Sequence, residues 1–154
     1  MDISKIRELD TGYESAIDYA ESVINTYTKD LDTLVDTIKE SIIVNGDLSS
    51  LHQYNLELPV KMYEISSKVE ELGLKVDFAE INRADKYSRL LLNATGTIPE
   101  KQARATVFVN NEVYAKEIYE RCYYGVKAKM ESATQVLISL RALIQSLESE
   151  KRYS

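Results

Sequence analysis

Apolar side chains return every three or four residues along three stretches of this chain. That spacing holds them on one face of an α-helix and approximates the heptad of packed helices. The first stretch carries Ile17, Ala20, Ile24, Tyr27, Leu31, Leu34 and Ile38, and the last carries Val126, Met130, Ala133, Leu137, Leu140, Ile144 and Leu147. Between them, Met62, Ile65, Val69, Leu72, Val76 and Ala79 form one stripe, and Leu74, Phe78 and Ile81 a neighbouring one, so the middle helix should be covered from two sides. Five glycines, two prolines and no tryptophan leave little punctuation, which argues against an all-β chain of many short strands. The pattern predicts an all-α fold: an elongated, coiled-coil-like bundle of three long helices, one domain over residues 1–154.

The boundaries follow from capping chemistry. Helix one should span about 11–45, capped by Asp10 or Thr11, with Glu14 and Asp18 near the positive end of its dipole. Asn45-Gly46 should end it, because both residues tolerate the left-handed conformation. Residues 47–58 read as a connection with a short helical turn, in which Asp47, Ser49 and Ser50 can cap. Pro59 then opens a second helix over about 58–93. Gly73, inside it, reads as tolerated rather than required. Thr97 and Glu100 have capping-box spacing and Pro99 suits the first turn, so a third helix starts near residue 98 and runs to about 150. Only Gly125 interrupts it. Unless that helix folds back at Gly125 it outruns its partners, and the stripe Val126, Met130, Leu137, Leu140, Ile144 and Leu147 is the expected oligomer interface.

Charge is uneven along the chain. The net is −6, but residues 1–82 hold 17 acidic and 7 basic side chains, net −10, whereas residues 83–104 hold 2 and 5, net +3. Bulk electrostatics therefore disfavour tight duplex binding, although a local basic surface can still meet phosphate. One cysteine, Cys122, excludes an intramolecular disulfide and points to a reducing compartment. Met1-Asp2-Ile3-Ser4-Lys5 lacks an apolar signal core and no uncharged stretch approaches a membrane span, so the expectation is a cytoplasmic protein that engages no membrane.

No catalytic residue, cofactor or metal site is legible. His52 is the only histidine and has no cysteine or histidine partner for a metal, the carboxylates follow solvated helix faces, and all five glycines are isolated. Binding chemistry is better represented. Arg83, Lys86 and Arg89 recur at three-residue steps, and Lys101 and Arg104 continue the positive charge past the turn, a candidate phosphate contact if it is not ordinary solubilising charge. Eleven tyrosines stand against two phenylalanines. Tyr114, Tyr119, Tyr123 and Tyr124 interleave with Lys116, Arg121, Lys127 and Lys129, which suits either a bundle seam or a surface where rings stack on unpaired bases.

The stretch Arg83-Ala-Asp-Lys86-Tyr87, the break Gly96-Thr97, Glu100-Lys-Gln-Ala-Arg-Ala105, Tyr114 with Tyr119, Val126-Lys127 and Leu137-Ile-Ser-Leu140-Arg141 together resemble UvsY-type phage recombination mediators and related small phage helical proteins. The resemblance covers roughly residues 80–152. It implies a non-catalytic homo-oligomer that binds single-stranded DNA and helps load a recombinase, with Arg83, Lys86, Arg89, Lys101, Arg104, Arg121 and Lys127 as contacts. The acidic first half supports a different expectation, a phage-type anti-defence protein of the anti-CRISPR kind whose acidic helices occupy a basic protein target. A coiled-coil adaptor requires only the stripes.

Overall fold

The computed structural model describes residues 13–154, and every element in them is helical. The caps expected at Asp10 or Thr11 lie outside the described residues. Helix α1 (Tyr13–Val23) passes through a π-helical turn (Ile24–Thr28) into α2 (Lys29–Ile43); α3 covers Leu48–Asn93, α4 Ile98–Phe108 and α5 Asn110–Tyr153. No helix among the described residues is long and apolar enough to cross a membrane.

The first helix ends at the expected Asn45-Gly46 stop, but its buried face is not the one expected. Ala16, Ala20 and Val23 are buried before the π turn, and Thr28, Leu31, Val35 and Ile38 after it, while Ile17 and Ile24 are exposed. A π turn inserts one extra residue, so the step from Val23 to Thr28 is five positions rather than four and the stripe shifts. The Thr28 hydroxyl donates to the Ile24 carbonyl at 2.8 Å inside this turn. At the far end, Asn45 takes φ 48°. The Asn45 amide donates to Ile42 O at 3.3 Å and the Gly46 amide to Ser41 O at 2.8 Å, the paired bonds of a Schellman cap.

The second helix starts ten residues before the expected position. Asp47 caps it: its carboxylate accepts from the Ser50 amide at 3.1 Å and from the Ser50 hydroxyl at 2.5 Å. These bonds hold the Asp47 carboxyl below its usual range. Pro59 therefore lies inside α3 rather than at its first turn. The reason is the heptad Leu51, Leu58, Ile65, Leu72 and Ala79, every member of which is at most 2% exposed. Burying Leu51 and Leu58 offsets the roughly 3 kcal/mol a proline costs in a helix interior.

The third helix is broken where no break was expected and continuous where one was considered. Val109, at φ −99° and ψ 8°, separates α4 from α5. Gly125 lies within α5, and a Cβ added there would meet nothing within 4 Å. The α4 start is as expected: Thr97 and Glu100 form a capping box in which Glu100 accepts from the Thr97 amide at 2.9 Å, which lowers its carboxyl.

The described residues gather into two compact units: the chain up to Glu21 with Glu70–Tyr124, and Ser22–Val69 with Gly125–Ser154. The second has an aliphatic core of Leu31, Val35, Ile38, Leu58, Ile65 and Leu140. Its cross-helix polar ties include Arg141 Nε to Asn55 Oδ1 at 2.9 Å, His52 Nε2 to Glu148 at 3.1 Å, and an ion pair between Lys129 and Asp32. Val126, Leu137, Leu140 and Ile144 are buried and Met130 and Leu147 half-buried within the single chain. The stripe expected to need another subunit is therefore covered by the chain's own helices. The first unit is built differently, from Ala16, Ala20, Ala79, Ala105 and Ala115 around Leu72, Tyr119 and a buried lysine.

Candidate functional site

Lys75 is 3% exposed and sits where the heptad of α3 carries it inward, three residues after Leu72. Its ammonium lies 4.4 Å from the Tyr19 ring centroid and 5.1 Å from that of Tyr119. The two rings meet edge to face at 6.0 Å and 73°, so α1, α3 and α5 each contribute one member of the cluster. Glu71 lies four residues before Lys75 on the same helix face. Burial first, then a side-chain hydrogen bond to the Glu71 carboxylate, push the Tyr19 phenol above its usual range. Cys122 is buried nearby in sequence, and burial raises its thiol. Sequence reasoning missed this cluster. The available signal was a lysine riding the buried repeat that runs from Leu51 to Ala79.

The expected phosphate contacts separate into two groups. Arg83 grips Glu80 with two bonds, Nε at 3.0 Å and Nη2 at 2.6 Å, and Lys116 reaches the same carboxylate at 3.2 Å. The Arg83 bonds first, and Lys116 second, lower the Glu80 carboxyl to about 2. Lys86 pairs with Glu112 at 2.5 Å, and Arg89 with Asp85 at 3.0 Å. The α3 end of the hairpin is therefore internally neutralised, chiefly by Glu80 one turn back and by Glu112, a tertiary neighbour 26 positions away. Lys101 is half-buried and Arg104 exposed on α4, Arg121 is exposed on α5, and Lys127 is exposed in the other unit.

The tyrosine run on α5 also divides. Tyr119 is fully buried against Lys75, Tyr123 is half-buried, and Tyr114 and Tyr124 are more than half exposed. Tyr114 meets Tyr13 of α1 edge to face at 6.2 Å. These two rings, with Asn111, Glu117, Ile118 and Arg121, line an open cavity of about 500 Å³. It offers aromatic faces, an amide and a guanidinium in one place, a set that can stack an unpaired base and hold its phosphate. Comparison with protein-family models, curated proteins and solved structures finds no match.

Proposed function

We propose that this chain is a non-catalytic accessory protein that engages single-stranded nucleic acid in phage-type recombination or replication, with a recombinase as its protein partner. The observation that carries the reading is the cavity of Tyr13, Tyr114, Asn111 and Arg121 on a unit whose Arg104 is also exposed. The contact residues are accordingly Arg104, Arg121 and Tyr114, with Lys101 three positions before Arg104 on α4. Lys86 pairs first with Glu112 of α5, whereas Arg83 and Arg89 pair within α3 with Glu80 and Asp85. Anisotropy of a fluorescent oligonucleotide across a salt series tests this. Arg104→Glu and Arg121→Glu should each reduce the slope of log affinity against log salt by about 1, and Tyr114→Ala should weaken binding about tenfold or more. Unchanged affinity in all three variants, or no binding at low salt, refutes the reading.

The reading includes coiled-coil-like packing of the helices, supported by the seven-residue spacing of the buried positions on α3. It also includes self-association, through a surface other than the α5 stripe. Light scattering at several concentrations tests that part.

A second reading is favoured by one specific observation. The segment Tyr13–Val23 carries Glu14, Asp18 and Glu21, all exposed, and no basic residue. That surface, and separately the exposed Asp30 and Asp36 of the other unit, suit a basic protein target, as an anti-defence inhibitor would use. Neutralising Asp30 and Asp36 should then weaken the protein partner, and retained inhibition would remove this alternative.

A further inference from the structure

On the first unit, Arg83 and Lys116 share Glu80, Lys86 pairs with Glu112 and Arg89 with Asp85. The cavity between Tyr13 and Tyr114 is different. Its Asn111, Glu117 and Arg121 are exposed and make no hydrogen bond or ion pair with another described residue. Glu117 and Arg121 stand four positions apart, a spacing at which such a pair closes on a helix, yet no ion pair joins them.

These groups share one face of α5. Asn111, Glu117 and Arg121 lie at −3, +3 and +7 from Tyr114, within an arc of about 120° and a length of about 15 Å, at 1.5 Å and about 100° per residue. Ile118 adds an apolar wall and Tyr13 of α1 the second ring. Tyr114 stays more than half exposed although Tyr13 meets it edge to face, so ring surface remains for stacking. A volume of about 500 Å³ accommodates a single base.

The carboxylate is the informative member. Glu117 comes between the stacking ring and the guanidinium along α5, where it repels the phosphate that Arg121 attracts. A carboxylate accepts hydrogen bonds through two oxygens and donates none. On its Watson–Crick edge guanine presents two adjacent donors, N1–H and the N2 amino group. Adenine and cytosine present one donor beside an acceptor, and thymine one donor between two acceptors. Guanine is therefore the base whose edge satisfies both carboxylate oxygens.

We propose that this cavity is a guanine-selective subsite within a single-strand surface that otherwise accepts any sequence. Tyr114 stacks on the base, Glu117 accepts from its N1–H and N2 amino group, and Arg121 holds the adjoining phosphate. This rests on the nucleic-acid reading for the strand and adds the base that the cavity takes. Phosphate contacts position a strand whatever its sequence, and Glu117 supplies the choice of base.

Anisotropy with fluorescent oligo-dT strands of one length, in which every third base is guanine, inosine, cytosine or unchanged thymine, tests the assignment. Inosine keeps N1–H and lacks the N2 amino group. The guanine strand should bind about fivefold tighter or more than the thymine strand, with the inosine strand between them. Glu117→Gln replaces one acceptor by a donor and removes a charge that repels phosphate. The thymine strand should then bind at least as tightly as before, while the preference for guanine falls below about twofold. Glu117 is exposed, so the variant should keep the parent's helix content by circular dichroism. If the carboxylate only repels phosphate, Glu117→Gln strengthens both strands alike and leaves their ratio unchanged, which overturns the guanine assignment. Equal affinity of the parent for all four strands also overturns it, and leaves the nucleic-acid reading standing where that affinity falls with salt. Absence of binding to every strand at low salt overturns both.

Discussion

Replacing Lys75 with methionine and, separately, with alanine distinguishes what its charge contributes from what its stem contributes. The ammonium has been taken almost wholly out of water, at an effective penalty of several kcal/mol. Against this stand two desolvated cation–π contacts, at 4.4 and 5.1 Å, each worth about 2 kcal/mol. The two contributions nearly cancel. Packing contributes separately: the three methylenes beyond Cβ are worth about 2.4 kcal/mol at ~0.8 kcal/mol each, and the residual cavity raises the cost of truncation to about 3 kcal/mol. Lys75→Ala should therefore destabilise by about 3 kcal/mol, and Lys75→Met, which restores the volume without the charge, should stay within about 1.5 kcal/mol of the parent. Urea unfolding followed by far-UV circular dichroism measures both, read at equal m-values. A loss above about 3 kcal/mol for the methionine variant would refute the cancellation and show that the cation itself holds α1, α3 and α5 together.

Gly125→Ala should stabilise by about 1 kcal/mol without changing helix content, since the added methyl meets nothing and only backbone entropy changes; thermal unfolding reads the gain. Leu140→Asp should unfold the chain, at a cost of about 4 kcal/mol or more, instead of merely separating subunits, because Leu140 is fully buried within one chain; circular dichroism and light scattering on the same sample separate the two outcomes. Acid titration should show stability fully present above the ordinary glutamate range and declining as pH falls towards about 2, the folded value of Glu80. The Glu80→Gln variant should show a shallower slope, and the slope should shrink at high salt because Glu80 is substantially solvent-exposed.

Much of the fold is local physics and was legible from the residues alone. Helical periodicity, the Asn45-Gly46 stop and the Thr97–Glu100 start depend on side chains within one turn of each other. The α5 stripe from Val126 to Ile144 is buried as its spacing requires. Where the reading failed locally, a single residue of register decided it. The π turn moves the buried face from Ile17 and Ile24 to Ala16 and Val23, and no residue type marks such an insertion. Pro59 misled because a proline is normally a helix start, yet the heptad that continues on both sides of it buries enough to override the local preference.

By itself the sequence determined that this chain is helical, where α2 and α3 end and where α4 begins, and that one face of each is apolar. Those are properties of spacing and of backbone groups within a few positions. Tertiary structure decided which charges are available and which rings point outward. Lys86 loses its availability to Glu112, 26 residues away, and Tyr119 disappears against Lys75 while Tyr114, five positions earlier, stays exposed. Coulomb pairing and burial depend on distance in space, and a repeat of three and four residues carries no information about which helix its apolar face will meet.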